Sequence, residues 1–485
     1  MTLNGARAGE RYLVLKVRGR GALRRRLLDM GILKDTVLTV TGAVPLGGPL
    51  ELSLRSYVLT LRREDAALVE VRPLPGTGPG RRGWDRLLLH PVLALPILAL
   101  SLLSMFWFSI HVVGGWTAGA GDALLVQGWE VGGHRVPGLA VLLEWRLQGC
   151  PVWFRAFLLD GVLAGVGTVL GFLPQLAALF LCLSFLEGCG YLTRGACLLD
   201  RLLRPFGLSG HCAASYVLAC GCAVPGVLSC RTIPQESCRR LTILTASFLP
   251  CGAKLPLIAL VGELAFPGCW WLAPGAYLLG LAAVLFTAWL LHGTPLFPRE
   301  EVPFLLELPP LRLPTLENLW AGTGERLMEF LKKAGSLLVL ASAAVWAAAS
   351  FGFGPDGFAY LGPEGLEYSF LAALGRGLWP LFALGGWGDW RSVVAALSGL
   401  LAKESVVGTL AILGTPAALG HPAAALSFLL FNLFCPPCAA ACGAMRQELG
   451  SGRAFVLALG YQTLFALLLS AGVYQGGALL GRLLA

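Results

Sequence analysis

The sequence predicts a polytopic α-helical membrane protein that carries a small β-barrel at its N-terminus. Of its 485 residues, 56% are hydrophobic and 13% are charged, whereas about one quarter of the residues in an ordinary soluble domain are charged. The mean hydropathy is +0.71. Several apolar runs reach the roughly 20 residues that a helix needs to cross hydrocarbon. Residues 1–74, by contrast, alternate between polar and apolar residues as strands do.

The N-terminal domain is expected to span residues 1–74. A short helix over 23–31 is stopped by its final glycine, and a Pro-Leu-Gly-Gly-Pro turn occupies 45–49. Five or so short strands around these elements predict a small barrel. Runs of strand length lie at 12–17, 37–40, 58–61 and 68–71.

Positive charge is concentrated near the start of the chain. Residues 1–86 contain 16 of the 37 Lys and Arg but 8 of the 28 Asp and Glu, so they carry +8 of the formal net charge of +9. The positive-inside tendency therefore places the N-terminal domain in the cytoplasm. No cleaved targeting segment is expected, because residues 1–10 lack an apolar stretch. The charges are scattered and have no aromatic ladder beside them, so nucleic acid is not expected as a partner.

The transmembrane domain is expected to span 87–485, after a Pro/Gly linker with a basic end at 75–86. We expect about eight segments in contact with membrane lipid. The stretch 293–333 contains five Lys and Arg residues and is placed in the cytoplasm, and the more acidic stretch 351–390 is placed outside. The long apolar runs are 91–113, 163–186, 241–261, 275–291, 334–353 and 454–474.

Two segments disturb a simple up-and-down arrangement. Residues 212–229 have Arg on both flanks, so this segment is expected to enter the membrane and return to the same side. The same expectation applies more weakly to 422–443. Broken or re-entrant segments that occur once in each half indicate the binding site of a transporter.

Four charged residues lie in apolar segments, where they cost at least a few kcal/mol. They are Glu187, Lys254, Lys403 and Glu404. Glu187 stands beside Gly188 and near Gly190, where the backbone can open. The alternative for Glu187 is an interfacial carboxylate that faces water.

The 14 cysteines mostly lie in apolar runs, where the disulfide framework of a secreted protein is not expected. Zinc-knuckle and thioredoxin-type sites are also not expected, because prolines separate the embedded thiols. The alternative to a metal-ligand role for each cysteine is packing between helices as a small buried hydrophobic residue. This packing role is the preferred interpretation for Cys182, Cys197 and Cys269. The cysteines near helix-breaking residues are Cys220, Cys222, Cys251, Cys435 and Cys438.

The N-terminal domain resembles the FeoA family over nearly its whole length. The matching motifs are 26–32 (RLLDMGI), 45–49 (PLGGP) and 61–66 (LRREDA). This resemblance implies an SH3-like barrel. A generic SH3-like adaptor without a connection to iron remains the alternative, because a fold does not specify a function.

From about residue 84 to the C-terminus, the chain resembles the FeoB family of ferrous iron transporters. The resemblance implies two gate regions that form the iron pathway, at about 160–262 and 391–475. It is carried by 89–91, 160–161, 165–167, 172–175, 187–191, 200–202, 207–210, 221–225, 241–244, 251–256, 402–404, 427–432, 437–438 and 461–463.

The resemblance to FeoB also implies a set of iron ligands. Thiolate and carboxylate ligands together suit a borderline divalent ion such as Fe²⁺, the transported substrate, better than Mg²⁺ or Ca²⁺. The expected metal-contacting residues are Glu187, Cys222, Cys251 and Cys438. The secondary candidates are Cys220, Cys435, Lys254, Lys403, Glu404 and Asn432. The thiols that the family pattern does not require are Cys189, Cys197, Cys212, Cys220, Cys230 and Cys435.

The chain departs from the FeoB pattern in one large respect. Members of that family normally carry a GTPase domain, and this sequence contains no Gly-x-x-x-x-Gly-Lys-Ser/Thr loop to cradle phosphates. We therefore expect no nucleotide cofactor and no enzymatic activity on this chain. A separate GTPase-domain protein and a second copy of the chain are the protein partners that this pattern leaves open.

The sequence thus predicts uptake of Fe²⁺ across the bacterial inner membrane by a two-gate permease core, regulated by the FeoA-like domain. Two alternatives remain within transport, namely another divalent metal and a nucleoside-type solute. The alternative from another class is a membrane regulator or metal sensor that does not transport.

Overall fold

The structure, a computed structural model, describes residues 1–485 with gaps. The residues that it leaves out are 19–21, 45–47, 55–56, 78–87, 89, 91, 116, 118–128, 132–133, 137, 299–304, 309–310, 333–335, 355–356, 363–364 and 485. Most of the expected turn at 45–49 and most of the expected linker at 75–86 therefore lie outside the described residues.

The N-terminal domain is built on an antiparallel sheet, as its alternating pattern predicts. Residue Gly31 follows the first helix with φ 75°, a left-handed conformation that favours glycine. The elements in chain order are β1 (Glu10–Val17), α1 (Ala22–Asp29), β2 (Val37–Ala43), β3 (Leu50–Leu54), β4 (Tyr57–Leu61), α2 (Arg63–Ala66) and β5 (Val69–Thr77). The four strand-length runs are confirmed, and β5 extends to the first three residues of the expected linker.

One face of this sheet forms a separate hydrophobic core. The side chains of Tyr12, Val14, Leu38, Leu52 and Leu59 are each no more than 1% exposed. They belong to one cluster that is distinct from the core of the membrane region. The small antiparallel sheet expected at the N-terminus is therefore confirmed and has a core of its own, and the domain bounds 1–74 stay a prediction.

A sixth strand joins this sheet from the membrane region. Strand β8 (Leu305–Leu308) pairs antiparallel with β4, from Val58 opposite Leu308 to Leu61 opposite Leu305. The strand order is β5-β1-β2-β3-β4-β8. The polar stretch 293–333 thus supplies the edge strand of the N-terminal sheet, which the sequence did not predict.

The membrane region is helical, with two short hairpins. Its strands are β6 (Trp129–Val131), β7 (His134–Val136), β9 (Phe351–Gly354) and β10 (Gly357–Tyr360). Its helices are α3 (Ala94–Trp107), α4 (Leu139–Arg146), α5 (Val152–Ala156), α6 (Ala164–Gly188), α7 (Tyr191–Leu203), α8 (His211–Gly221), α9 (Ala223–Ser229), α10 (Glu236–Thr245), α11 (Leu255–Ala265), α12 (Leu272–Leu291), α13 (Leu316–Phe330), α14 (Ser336–Ser350), α15 (Phe370–Ala383), α16 (Trp390–Ser398), α17 (Ser405–Leu413), α18 (Pro422–Phe434), α19 (Ala439–Leu449) and α20 (Gly452–Leu484).

Several of these helices are suited to cross a membrane. Within the described part of the chain, Pro96–Gly114, Glu236–Ala265, Leu272–Leu291 and Gly452–Leu479 are long and apolar enough. Two bent pairs raise the number to six if each pair is one span: Leu173–Gly188 with Tyr191–Asp200, bent by 78°, and Pro422–Phe434 with Ala439–Leu449, bent by 41°. The polytopic helical fold is confirmed, and about eight crossings stays a prediction.

The outer surface of the longest helices is apolar. On α12 the side chains of Leu278 and Trp289 are exposed, and on α20 so are those of Val456, Leu464 and Leu468. A contiguous exposed apolar surface of this kind is stable against lipid and unstable against water. These faces are therefore in contact with the hydrocarbon of a bilayer.

Each half of the membrane region contains a helical hairpin followed by a broken helix. In the first half, α8 and α9 fold back on each other, and Ser229 Oγ donates to Ser215 Oγ at 2.8 Å across the hairpin. In the second half, α16 and α17 do the same, and the hydroxyls of Ser398 and Thr409 are 2.9 Å apart. The broken helices are α10–α11, interrupted at 246–254, and α18–α19, interrupted at 435–438.

The two segments expected to be re-entrant differ in the structure. The reversal expected within 212–229 is confirmed by the α8–α9 hairpin. The segment 422–443 is broken and bent by 41°, and the hairpin of that half is instead 390–413. Pro436 and Pro437 stop α18. The hairpin 390–413 can fold back because Gly399, which has no side chain, lets α16 approach Val406 of α17 closely.

Candidate functional site

A large cavity lies between the two halves of the membrane region. Its volume is about 1310 Å³. Breaks in the helices supply its central wall, with Cys222, Cys251 and Lys254 from the first half and Lys403, Glu404 and Cys438 from the second. The cavity therefore brings together three of the four expected metal-contacting residues and three of the secondary candidates.

The α8–α9 hairpin positions Cys222. This residue has extended backbone angles, φ −152° and ψ 131°, between the two helices. The hairpin closes tightly because a Cβ on Gly226 would come within 2.8 Å of the Ala219 Cα, so this position requires glycine. Pro225 fits the first turn of α9, where the missing N–H has no partner to lose. The sequence Cys222 to Gly226 thus forces the chain to reverse beside the cavity.

The other two cavity cysteines also stand immediately before a helical turn. Cys251 precedes the 3-10 turn 252–254, and Cys438 precedes α19. The backbone N–H groups and the dipole at the start of a helix favour a negative charge, which suits a thiolate. The three thiols therefore all stand at breaks between helical segments that line the cavity.

Two buried lysines hold the broken segments together. Lys254 Nζ donates to the carbonyls of Ser247 and Leu433, both at 2.7 Å, and thereby joins the break of the first half to the end of α18. Lys403 Nζ lies 3.0 Å from Cys435 Sγ. Both lysines are 3% exposed. Their bonds position the walls of the cavity, and Cys435 is engaged by Lys403.

Glu187 is not brought to this cavity. It ends α6 with an exposed carboxylate that forms an ion pair with Arg326 of α13. The chain turns there because Gly190 adopts φ 76°, so the glycines open the helix at its end and not in the middle of the span. The expected convergence of Glu187 with the cysteines is therefore wrong, and the carboxylates that line the cavity are Glu144, Asp160 and Glu404.

The cysteines line one cavity without forming a closed metal centre. Among the described residues, no group of three or more His, Cys, Asp or Glu side chains is close enough to hold a metal ion. Cys220 is not among the residues that line the cavity. Buried Asn432 donates to the Phe428 carbonyl at 2.9 Å, and its Oδ1 has no hydrogen-bond partner in the described part of the chain.

Sequence reasoning missed a polar bridge between the halves. Gln462 Nε2 donates to the Leu244 carbonyl at 2.8 Å and to Ser247 Oγ at 3.0 Å. Gln462 is fully buried within α20. Its signal in the sequence was a polar amide inside the apolar run 454–474, the same signal that singled out the charged residues.

The N-terminal domain contacts the first half through an ion pair. Arg62 donates through Nε and Nη2 to the Asp200 carboxylate at 2.9 and 2.8 Å. The same carboxylate accepts the Gly210 N–H at 2.8 Å, immediately before α8. One buried carboxylate thus connects the sheet to the hairpin that carries Cys222.

Two further contacts surround this ion pair. The guanidinium of Arg204 forms a bidentate pair with Glu64, and this hydrogen bonding lowers the pKa of the Glu64 carboxyl below its ordinary value. Cys197 Sγ lies 3.8 Å from Thr60 Oγ1. Cys197 was expected to be a packing residue, and it packs at the interface between the domains.

Family models match three parts of the chain. A FeoA domain matches residues 1–73. A nucleoside recognition (Gate) domain matches 169–265 and 331–452, and the C terminus of ferrous iron transport protein B matches 273–326. The two Gate matches contain the two hairpins and the two broken helices.

Curated relatives of this chain are also FeoB proteins. A protein named Fe(2+) transporter FeoB from Methanocaldococcus jannaschii is 37% identical over 61% of this chain and 46% of its own length. A protein of that name from Staphylococcus aureus is 29% identical over 92% of this chain and 66% of its own length. Another, from Legionella pneumophila, is 33% identical over 67% of this chain and 42% of its own length. The chain thus spans less than two thirds of each relative. With its domain matches and its paired gates, it combines a FeoA domain with the membrane core of the FeoB family.

Proposed function

We propose that this chain is a permease core for the uptake of Fe²⁺ across the bacterial inner membrane. The observation that supports this function is the meeting of Cys222, Cys251 and Cys438 at one cavity between two gate halves. Soft sulfur ligands suit a borderline divalent ion. Helix breaks inside a membrane are stable only where they line a cavity or are buried in protein.

Regulation by the N-terminal domain is the second part of this proposal. The domain faces the cytoplasm, and β8 and the Arg62–Asp200 pair connect it to the membrane region. Because Asp200 also accepts the N–H of Gly210, displacement of the domain removes a partner from the carboxylate that holds the start of the Cys222 hairpin. Docking of the domain therefore controls how freely that hairpin moves.

The metal pathway is tested by uptake of ⁵⁵Fe²⁺ into proteoliposomes. Cys222→Ser and Cys438→Ser keep the size of the side chain and weaken a soft ligand, so we expect each to reduce the initial rate at least several-fold. Cys182→Ser and Cys269→Ser are the matched controls, because neither residue lines the cavity. If all four variants transport Fe²⁺ at the parent rate, the proposed pathway is wrong.

The same vesicles separate the alternatives. An excess of Zn²⁺, Mn²⁺ or uridine is added to the outside, and competition for ⁵⁵Fe²⁺ uptake is measured. Preferential competition by Zn²⁺ or Mn²⁺ assigns another divalent metal, and uptake of labelled uridine assigns a nucleoside-type solute. Absence of any uptake by a stable, reconstituted protein favours a membrane regulator or metal sensor.

A further inference from the structure

Two cysteines outside the cavity lie unusually close together. The Sγ atoms of Cys212, in the first turn of α8, and Cys238, in the first turn of α10, are 2.7 Å apart. This is shorter than the roughly 3.5–4.0 Å at which non-bonded heavy atoms pack best, and it approaches the ~2.05 Å of a disulfide bond. Both side chains are buried, with Cys238 at 5% exposure and Cys212 at 0%.

A hydroxyl group stands beside both sulfurs. Ser209 Oγ is 3.8 Å from Cys212 Sγ and 3.7 Å from Cys238 Sγ, and it donates to Gln235 Oε1 at 3.2 Å. The Ser209 hydroxyl can donate instead to a thiolate at either cysteine. Such a hydrogen bond stabilises the thiolate relative to the thiol. The thiol pair thus has a built-in group that assists the first step of oxidation.

We propose that Cys212 and Cys238 form a reversible disulfide when the protein meets a peroxide. The thiol of Cys238, the more exposed of the two, gives up its proton and attacks one peroxide oxygen; the O–O bond breaks, the sulfur becomes a sulfenic acid, and the leaving hydroxide takes that proton and departs as water. The thiol of Cys212 then attacks that sulfur, the S–S bond forms, and a second water leaves. The two thiols lose two electrons and two protons, and hydrogen peroxide is reduced to two waters. A dithiol reductant reverses the reaction by thiol–disulfide exchange.

The bond has a mechanical consequence for the first gate half. Helix α8 leads directly to Cys222, and α10 leads through the break at 246–254 to Cys251. The α8–α9 hairpin is already closed by Ser215 and Ser229, so a disulfide at its start ties the whole hairpin to the broken helix. The helices that lead to Cys222 and to Cys251 are then tied together at their first turns.

This consequence rests on the proposed function, because a fixed gate matters only in a transporter. Alternating access requires one element to rock against another around the site. Peroxide should therefore stop uptake through the disulfide. Since Fe²⁺ reduces peroxide to hydroxyl radical, a permease that stops under peroxide limits the supply of the metal when that reaction is most damaging.

The experiment uses the full chain in proteoliposomes, treated with hydrogen peroxide, alkylated, digested and analysed by mass spectrometry. We expect a cross-linked peptide pair that contains Cys212 and Cys238, and a several-fold loss of ⁵⁵Fe²⁺ uptake that dithiothreitol reverses. Cys212→Ala and Cys238→Ser should form no such pair and should keep their uptake under peroxide. Cys230→Ser is the matched control, because Cys230 is equally buried nearby and should behave as the parent does.

Each failure has a distinct meaning. Absence of the cross-linked pair from the oxidised parent overturns the disulfide. Loss of uptake under peroxide that persists in Cys212→Ala assigns the effect to other thiols, such as those of the cavity, and overturns the gating role. If the reduced parent takes up no Fe²⁺, the proposed function fails, and the peptide analysis alone then decides whether the disulfide forms.

Discussion

Some buried polar side chains in the membrane region are present because the helix breaks leave backbone carbonyls without partners. Lys254 is the clearest example, because one buried ammonium group satisfies a carbonyl from each half. A carbonyl at the end of a helix has no intrahelical partner, and Ser247 and Leu433 are each only 1% exposed. The ammonium group therefore stabilises the helix break, and Lys254 also lines the cavity.

Replacement of Lys254 tests this role. Lys254→Met keeps the aliphatic length and removes the donor, so two buried carbonyls lose a partner. An unsatisfied buried acceptor costs about 1–3 kcal/mol, and we expect a clearly lower melting temperature of the purified protein in detergent. Lys34→Met, at an exposed position of the N-terminal domain, is the control and should melt with the parent. Equal melting of both variants would contradict the structural role.

At the scale of elements, β8 and α7 together dock the N-terminal sheet. The strand gives backbone hydrogen bonds along the edge of β4, which would otherwise be an open edge. Next to it, Arg62 and Asp200 form an ion pair with side chains 14% and 4% exposed. Removal of one partner of a buried ion pair is strongly destabilising, by about 3–5 kcal/mol, because it leaves an uncompensated charge.

Docking of the N-terminal domain on the membrane region can be measured with a disulfide cross-link that needs only one new cysteine. Thr60→Cys places a thiol opposite native Cys197, whose sulfur is 3.8 Å from the present hydroxyl, and mild oxidation should join them. Addition of Arg62→Ala should slow this cross-linking several-fold, because Asp200 loses its cation. Addition of Arg63→Ala, at the exposed neighbouring position, should leave the rate unchanged. Rapid cross-linking in the Arg62→Ala protein would show that the ion pair does not hold the domain.

At the scale of the whole molecule, the chain joins an N-terminal sheet to two gate halves, and its sequence contains no Gly-x-x-x-x-Gly-Lys-Ser/Thr loop. Phosphate binding of the P-loop type needs a glycine-rich backbone cradle and a lysine that reaches the phosphates. The sequence contains no Gly-Lys dipeptide from which to build them. We therefore expect that residues 1–485 do not bind GTP through a loop of this class.

Nucleotide binding by the purified chain checks this directly. We expect neither saturable binding of a fluorescent GTP analogue at micromolar concentrations nor GTP hydrolysis above the background of empty detergent micelles. A GTPase of the P-loop class, measured in the same buffer, is the positive control. Saturable binding that unlabelled GTP displaces would contradict the expectation.

The sequence by itself determined the features that depend on neighbouring residues. Alternation predicted four of the strands, apolar length predicted the membrane helices, and Arg on both flanks of 212–229 predicted the chain reversal. The coincidence of cysteines with glycines and prolines located Cys222, Cys251 and Cys438 at helix breaks. Each of these signals is local, because backbone conformation and burial of a helix depend on residues a few positions apart.

Only the tertiary structure decided which distant segments meet. It paired β8 with β4, placed Glu187 beside Arg326 and away from the cavity, and brought the Cys212 and Cys238 sulfurs together. None of these contacts has a periodic or compositional signal, because each depends on how two separately formed elements pack. The local pattern specifies the elements, and the burial of their apolar faces specifies which side chains of distant segments become neighbours.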